Sequence, residues 1–500
     1  MTDNSQAIRH AGALRSFKET IESLIIAFIL AFVFRAFTVE AFIIPTGSMA
    51  DTLRGAHFRL VCRTCGYAYN VGYGNSDDTP LPIQPININP SRLRHSDVPI
   101  CPLCGTEIEP DYRHRVSNGD RILVLKYLYF FSEPEIWDVV VFKNPTDPSQ
   151  NFIKRLIGRP GETVEIIDGD VYINGKIQRK PDHVQEALWI PVYHSDYQPP
   201  PNAPGRYDRQ TWDRPFQPVG AADAWTLDAA NRRFEFEGSR QMEVLEFNTF
   251  RIKKFSQNFL AYNGHRLSDN QVASDLKLSF VLTADGPDGK VIVKLGKYNR
   301  LYRAEIEFNG LCRILSESDG ETILKQEQFA PLRPQEPVNV SFALVDHTLQ
   351  LRLGDWRLDY IGDERPGPWG FTAKTRFYPP SVHLAGQGGA FRLKHIALYR
   401  DVHYTNSSNG QIGRGTEENA FTLNEDEFFV LGDNSPQSHD SRFWDDPPRS
   451  LYGKACRAGV VPRYYLIGRA LFVYWPAGFY IHPNIPFAPL PNLADMRFIH

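Results

Sequence analysis

Residues 276–308 read LKLSFVLTADGPDGKVIVKLGKYNRLYRAEIEF. Within them LKLSFVL (276–282), VIVKL (291–295) and YRAEIEF (302–308) alternate apolar and polar side chains. Such a period of two places every second side chain on one face, as in a strand with one side buried. VNVSFAL (338–344) and LQLRL (349–353) keep the rhythm, and Asp285-Gly286, Asp319-Gly320 and Gly354-Asp355 supply turns. The region 220–404 is therefore expected to be an antiparallel β-sandwich of short strands.

On either side the style changes. RILVLKY, WDVVVF, NFIKRLIG, ETVEII and DVYING crowd residues 119–178 with short apolar strands, and the style returns past 405 with FFVLGDNS and GRALFVYWP. The sandwich thus reads as an insert in a second β domain, split into 41–184 and 405–486. A Pro-rich linker (185–219, with QPPPNAP at 198–204) leads into the sandwich, and residues 487–500 form a tail. The fold class predicted is mainly β. Composition agrees: 500 residues suggest about three domains, 42% hydrophobic residues suffice for packed cores, and a net charge of −3 gives no general affinity for nucleic acid. Six cysteines are too few for a disulfide scaffold of this length.

The N-terminus is different. SLIIAFILAFVF (23–34) carries no charge, and the apolar run resumes beyond Arg35 as AFTV. A helix from Ser23 to Val39 would span about 26 Å, enough for a thin bilayer with Arg35 snorkelling. No small-x-small cleavage site follows it, so residues 20–40 read as an uncleaved membrane anchor. Arg9, Arg15 and Lys18 precede it, which places residues 1–19 in the cytosol and the remainder on the trans side.

Three elements could carry chemistry. Ser48 follows Pro45-Thr46-Gly47 in a tight turn, where glycine admits close backbone approach. The fourteen histidines form no recognisable triad signature with it. A lysine made neutral by burial is the other route to a base. Lys154, in FIKRLIG, shares a strand face with Phe152 and Leu156. The third element is GDNSPQSHDSR (432–442), a loop dense in turn formers directly after the strand FFVL. Taken singly, each has a bland alternative: an ordinary turn, a lysine stem lying along a strand, a hydrogen-bonded loop.

Together they resemble one family. An apolar anchor, PTGSMADTL, NGDRILV, FIKRLIGRPGE and GDNSPQSHDSR, in that order, are similar to type I signal peptidases, membrane-anchored Ser–Lys endopeptidases. The resemblance covers about half the chain: 20–60, 117–178 and 415–480. It implies Ser48 as nucleophile and Lys154 as general base. Thr46 would complete an oxyanion hole with the Ser48 amide, and Met49 would line the substrate groove. Ser438 would orient the lysine amine, with Asp433, Asp440 and Arg442 bracing the loop. No cofactor is implied for catalysis. Substrates would be signal peptides of exported preproteins, cut after small-x-small sequences at the plasma (inner) membrane. The other reading is a catalytically silent, membrane-tethered scaffold. A metalloprotease lacks support, since no His-Glu-x-x-His occurs.

Two insertions stand outside that pattern. Cys62-x-x-Cys65 and Cys101-x-x-Cys104, each followed by glycine, look like a zinc ribbon within residues 58–115. The 35 residues between the pairs are more than usual, so structural zinc, disulfides on an oxidising side and free thiols all stand as readings. Cys312 and Cys456 read as ordinary buried thiols. The sandwich resembles concanavalin-like or laminin-G-like jelly rolls, which implies a glycan or protein ligand. Trp356, Tyr360 and Trp369 either stack on a sugar ring or belong to the core.

Overall fold

The computed structural model describes residues 17–29, 39–73, 86–87, 99–108, 113–114, 116–200, 203, 214–220, 223–228, 232–248, 272–318, 320–372, 374–408, 410–417, 419–449, 456–478 and 490–500. Residues 17–29 are helical and 30–38 of the expected anchor lie outside the described residues, while its last two residues, 39–40, belong to the strand Val39–Ile43 and not to a helix. Among the described residues no helix is long and apolar enough to cross a membrane. The rest of the described residues are mainly β, with further α-helices at Leu128–Phe131 and Asp182–Leu188 and a few single 3-10 turns.

A continuous antiparallel sheet organises the first β domain. Its order is Val39–Ile43, Arg121–Leu125, Leu466–Trp475, Val139–Lys143, Asn151–Gly158, Glu427–Leu431 and Val461–Pro462. Strands from both halves of the chain interleave, so neither half closes the sheet alone. The segment VVVFK (139–143) explains its own position. Val139 and Val141 pack with Ile122, Val124 and Ile153 on one face, while Val140 and Phe142 pack with Leu156, Phe428 and Val430 on the other. A strand buried on both faces shows an unbroken apolar run instead of alternation. Each such side chain contributes roughly 1.5–3 kcal/mol by leaving water. A smaller sheet, Lys176–Ile177, Asp170–Ile173, Thr163–Ile167 and Phe421–Thr422, packs through Val164, Ile166 and Val171.

The sandwich has the expected two sheets. One runs Trp225–Asp228, Arg233–Phe236, Phe391–Arg400, Leu276–Ala284, Pro337–Val345, Thr348–Leu353 and Trp356–Ile361. The other runs Phe216–Pro218, Ser239–Phe247, Ser381–Gly388, Lys290–Lys297, Arg300–Glu307, Leu311–Ser316 and Thr322–Gln328. Leu276, Leu278, Phe280 and Leu282 face the core as their period requires. Asp346 and His347 both take positive φ, giving the two-residue hairpin turn that matches strand twist.

Several expectations need correction here. The linker 185–219 contains ordered structure: the helix Asp182–Leu188 runs across its boundary, and Ile190–His194 pairs with Phe391–Arg400, burying Val192 and Tyr193 in the sandwich core. The described part of the tail, 490–500, reaches the first sheet. Arg497–Phe498 pairs with Leu466–Trp475, and the Asp495 carboxylate accepts from Arg54 and Arg59, each at 3.3 Å. Of the three rings for which sugar stacking and core packing both stood open, Trp369 is buried and stacked on His347, while Trp356 and Tyr360 are half-buried against the core.

Buried charges join the sandwich to the small sheet. Lys180 Nζ donates to Asp346 and Asp401, each at 2.7 Å, and Lys297 Nζ bridges Asp170 and Asp275. Charges removed from water must be paired in this way.

Candidate active site

Ser48 sits in the turn leaving the edge strand Val39–Ile43. The turn closes by Ala50 N–H donating to Gly47 O (3.1 Å) and Leu53 N–H to Met49 O (2.8 Å). Gly55 lies directly against it: a Cβ there would stand 2.4 Å from the Thr46 carbonyl carbon, so no other residue fits without displacing the backbone before Ser48. Lys154 comes from the inner strand Asn151–Gly158, and its Nζ reaches 2.5 Å from Ser48 Oγ.

Lys154 is only 4% exposed. Burial pushes its pKa down to about 8, opposed by Asp440 and Asp433 and assisted by Arg442. An appreciable fraction of the amine is then neutral near physiological pH, which is the form able to accept a proton.

The loop 432–442 holds the pair from the far side. Asn434 N–H donates to Ser48 O (3.0 Å), and Asn434 Nδ2 donates to Gly47 O (3.0 Å). Gly432 permits this approach, because a Cβ would stand 2.5 Å from Ser48 O and 2.2 Å from Ser438 Oγ. Asp433 accepts a two-pronged bond from Arg155 (both 2.7 Å) and a third from Thr52 Oγ1 (2.6 Å). Asp440 and Arg442 form a second fork at 2.9 and 2.7 Å. Arg442 also donates to Thr405 O (2.7 Å), Ser435 Oγ (2.7 Å) and Ser435 O (3.0 Å). Burial raises the Asp440 pKa, but Arg442 outweighs it and holds the carboxyl below its usual range.

The structure thus brings together Ser48, Lys154, Asp433, Asp440 and Arg442. Thr46 stands two residues before Ser48 with its side chain exposed at the surface of the turn. Two expectations are corrected. Met49 is fully buried among Ile44, Leu53, Ile122 and Val139, because the turn points it into the sheet core, so it offers no surface to a groove. Ser438 Oγ is buried against Gly432 and helps lower the Asp440 pKa by hydrogen bonding toward that carboxyl, but, among the described residues, no bond joins it to the Lys154 amine. Arg155, Thr52 and Asn434 went unnoticed in the sequence. A signal for Arg155 was present: an arginine within the apolar strand FIKRLIG requires a buried partner. The four cysteines converge elsewhere, with all their sulfurs within 4.8 Å of one another.

The family model for Signal peptidase, peptidase S26 matches residues 110–203 and 393–475. Those stretches are similar to signal peptidases. They contain Lys154 and the loop 432–442, whereas Ser48 lies before them and is brought to Lys154 by the fold. Signal peptidase I of Rickettsia bellii is 28% identical over 169 residues, 34% of this chain and 43% of that protein. Signal peptidase I of Rickettsia typhi is 28% identical over 162 residues, 32% and 45% of the respective chains. The chain spans less than half the length of these curated relatives. Among solved structures, carbohydrate binding module CBM66 from Bacillus subtilis covers 36% of this chain and 93% of its own, at 10% identity and a TM-score of 0.24. That overlap is too low to assign the sandwich a fold family.

Proposed function

We propose that this chain is a signal peptidase I, a membrane-anchored serine endopeptidase that removes signal peptides from exported preproteins. The observation that carries the reading is the 2.5 Å approach of a buried lysine amine to the hydroxyl of a half-buried serine in a turn. In the proposed reaction, neutral Lys154 Nζ takes the Ser48 hydroxyl proton as Oγ attacks the scissile carbonyl. The oxyanion is received by the Ser48 backbone N–H and the Thr46 hydroxyl. Lys154 then protonates the departing amine, and water releases the acyl group with Lys154 again as base. Asp433 and Asp440, each neutralised by an arginine, fix the loop that positions Ser48 through Asn434.

The anchor gives the arrangement its sense. Ser48 lies nine residues after Val39, a reach of about 30 Å when extended. A nucleophile tethered there meets a substrate whose apolar core stays in the bilayer and whose cleavage site emerges on the trans side. Extended substrate would lie alongside a strand edge and offer small residues before the cut.

The test is cleavage of a standard preprotein by detergent-solubilised wild type and Ser48→Ala, with the products read by mass spectrometry. Cutting by the wild type alone, after a small-x-small sequence, is the expected result. Equal cutting by both, or none by a folded wild type across several preproteins, would overturn the proposal.

A further inference from the structure

Cys62, Cys65, Cys101 and Cys104 are all buried, at the centre of a small separate core with Phe58, Leu60, Tyr69, Val71, Leu103 and Val116. Cys62 Sγ lies 3.5 Å from Cys104 Sγ, and Cys65 Sγ lies 3.6 Å from Cys101 Sγ. A tetrahedron of sulfurs around zinc, with Zn–S near 2.3 Å, has edges of about 3.8 Å. The four sulfurs therefore already outline the cage such an ion needs. The backbone agrees. In each Cys-x-x-Cys-Gly the glycine N–H donates to the first cysteine carbonyl, at 2.7 Å for Gly66 and 2.8 Å for Gly105, and both glycines take positive φ. Cys62 N–H bonds Tyr67 O and Cys101 N–H bonds Thr106 O (2.8 and 2.7 Å), so the two turns are near copies facing each other. Thr106 Oγ1, 2.9 Å from Cys104 Sγ, is placed to donate to a thiolate as an outer-shell group.

We infer that these four cysteines bind one zinc ion, and that the ion closes the excursion between His57 and Ser117. The ladder that closes its base, His57 with Ser117 and Phe58 with Val116, is only two residues long, and so small a core gains from a metal staple. Four thiolates leave no open coordination position, so the role is structural. Zinc is favoured over ferrous iron at an N/S site by intrinsic affinity. The position gives the ion a further consequence. The strand His57–Val61, which ends one residue before Cys62, begins two residues after Gly55, the glycine packed on the Ser48 turn. The same strand is held by the His57 ring at Gly55 O (2.7 Å) and by Arg59 at Ala477 O and Asp495 (3.2 and 3.3 Å). Zinc at its far end therefore anchors the C-terminal side of the nucleophile turn. The metal assignment is independent of the proposed peptidase activity.

The test uses the full chain purified in detergent without chelator or reductant. Elemental analysis is expected to give about one zinc per chain. Mass-mapped alkylation should find the four thiols protected until a chelator is added, and labelled afterwards. Hydrogen exchange should then rise through 57–73 and 99–108 and extend into 46–55. Cys101→Ser should purify without zinc; should it fail to fold, the wild-type metal content and alkylation map still decide. Iron in place of zinc, no metal with freely labelled thiols, or no metal with the cysteines oxidised in pairs would each overturn the inference.

Discussion

Lys154→Met is expected to lower kcat/KM on a preprotein by a factor on the order of 10⁴ or more while leaving the protein folded. Removing a member of a nucleophile–base pair characteristically costs that much, because the remaining hydroxyl is a poor nucleophile at neutral pH. Methionine keeps the length and apolar stem of the lysine, so the space among Phe152, Leu156 and the 432–442 loop stays filled. Stability should hold or rise, since the buried amine is held charged only against the desolvation that lowers its pKa. Lys154→Arg is expected to fail equally, because a guanidinium stays protonated throughout the working range. Activity is read from initial rates of preprotein cleavage, and folding from thermal melting of the same samples. A Lys154→Met enzyme retaining a tenth of wild-type activity would remove this residue from the chemistry.

The second large effect is on stability. Arg442 is fully buried and spends its guanidinium on Asp440, Thr405 and Ser435. Arg442→Met is expected to destabilise the first β domain by about 3–5 kcal/mol, because it strands a buried carboxylate and several acceptors. Asp440→Leu added to it should recover part of that loss, the signature of a coupled pair. The single variant should also raise the Lys154 pKa, since Arg442 lowers it and Asp440 raises it. Its pH–rate curve is then displaced to the alkaline side. Melting temperatures of the two variants, with the single variant's pH–rate curve, check both parts. Additive losses in the double variant would mean that the two residues act separately.

Much of this architecture was legible in the chain. The period-two pattern of LKLSFVL and LQLRL, broken only by Val281, marks the sandwich, because strands with one wet face tend to display it. VVVFK was recognisable as a strand but not as a central one, since an unbroken apolar run carries no record of which neighbours cover it. Ile190–His194 was lost inside a Pro-rich stretch; its sheet partner lies some 200 residues away, and nothing local encodes that pairing. Arg497–Phe498 carries no local sign of its pairing either, although its partners Phe472 and Val473 lie only about 25 residues away. At the site, Ser48, Lys154 and the 432–442 loop could be singled out by residue type and order. The burial of Met49 could not, because the direction of a side chain in a turn depends on how the turn seats on the sheet. Asp433 was assigned to bracing within its own loop, yet its partner is Arg155, on the strand that carries the lysine.

The central claim, that a neutral lysine activates the serine, is tested most directly by the pH dependence of kcat/KM on a short signal-like peptide between about pH 6 and pH 10. This quantity reports ionisations of the free enzyme. The base must lose its proton to act, so the rate should climb about tenfold per unit at low pH and level off through a single midpoint near 8, the value to which burial lowers Lys154. A profile already flat from pH 6, or one with its midpoint in the ordinary histidine range, would contradict the Ser48–Lys154 account.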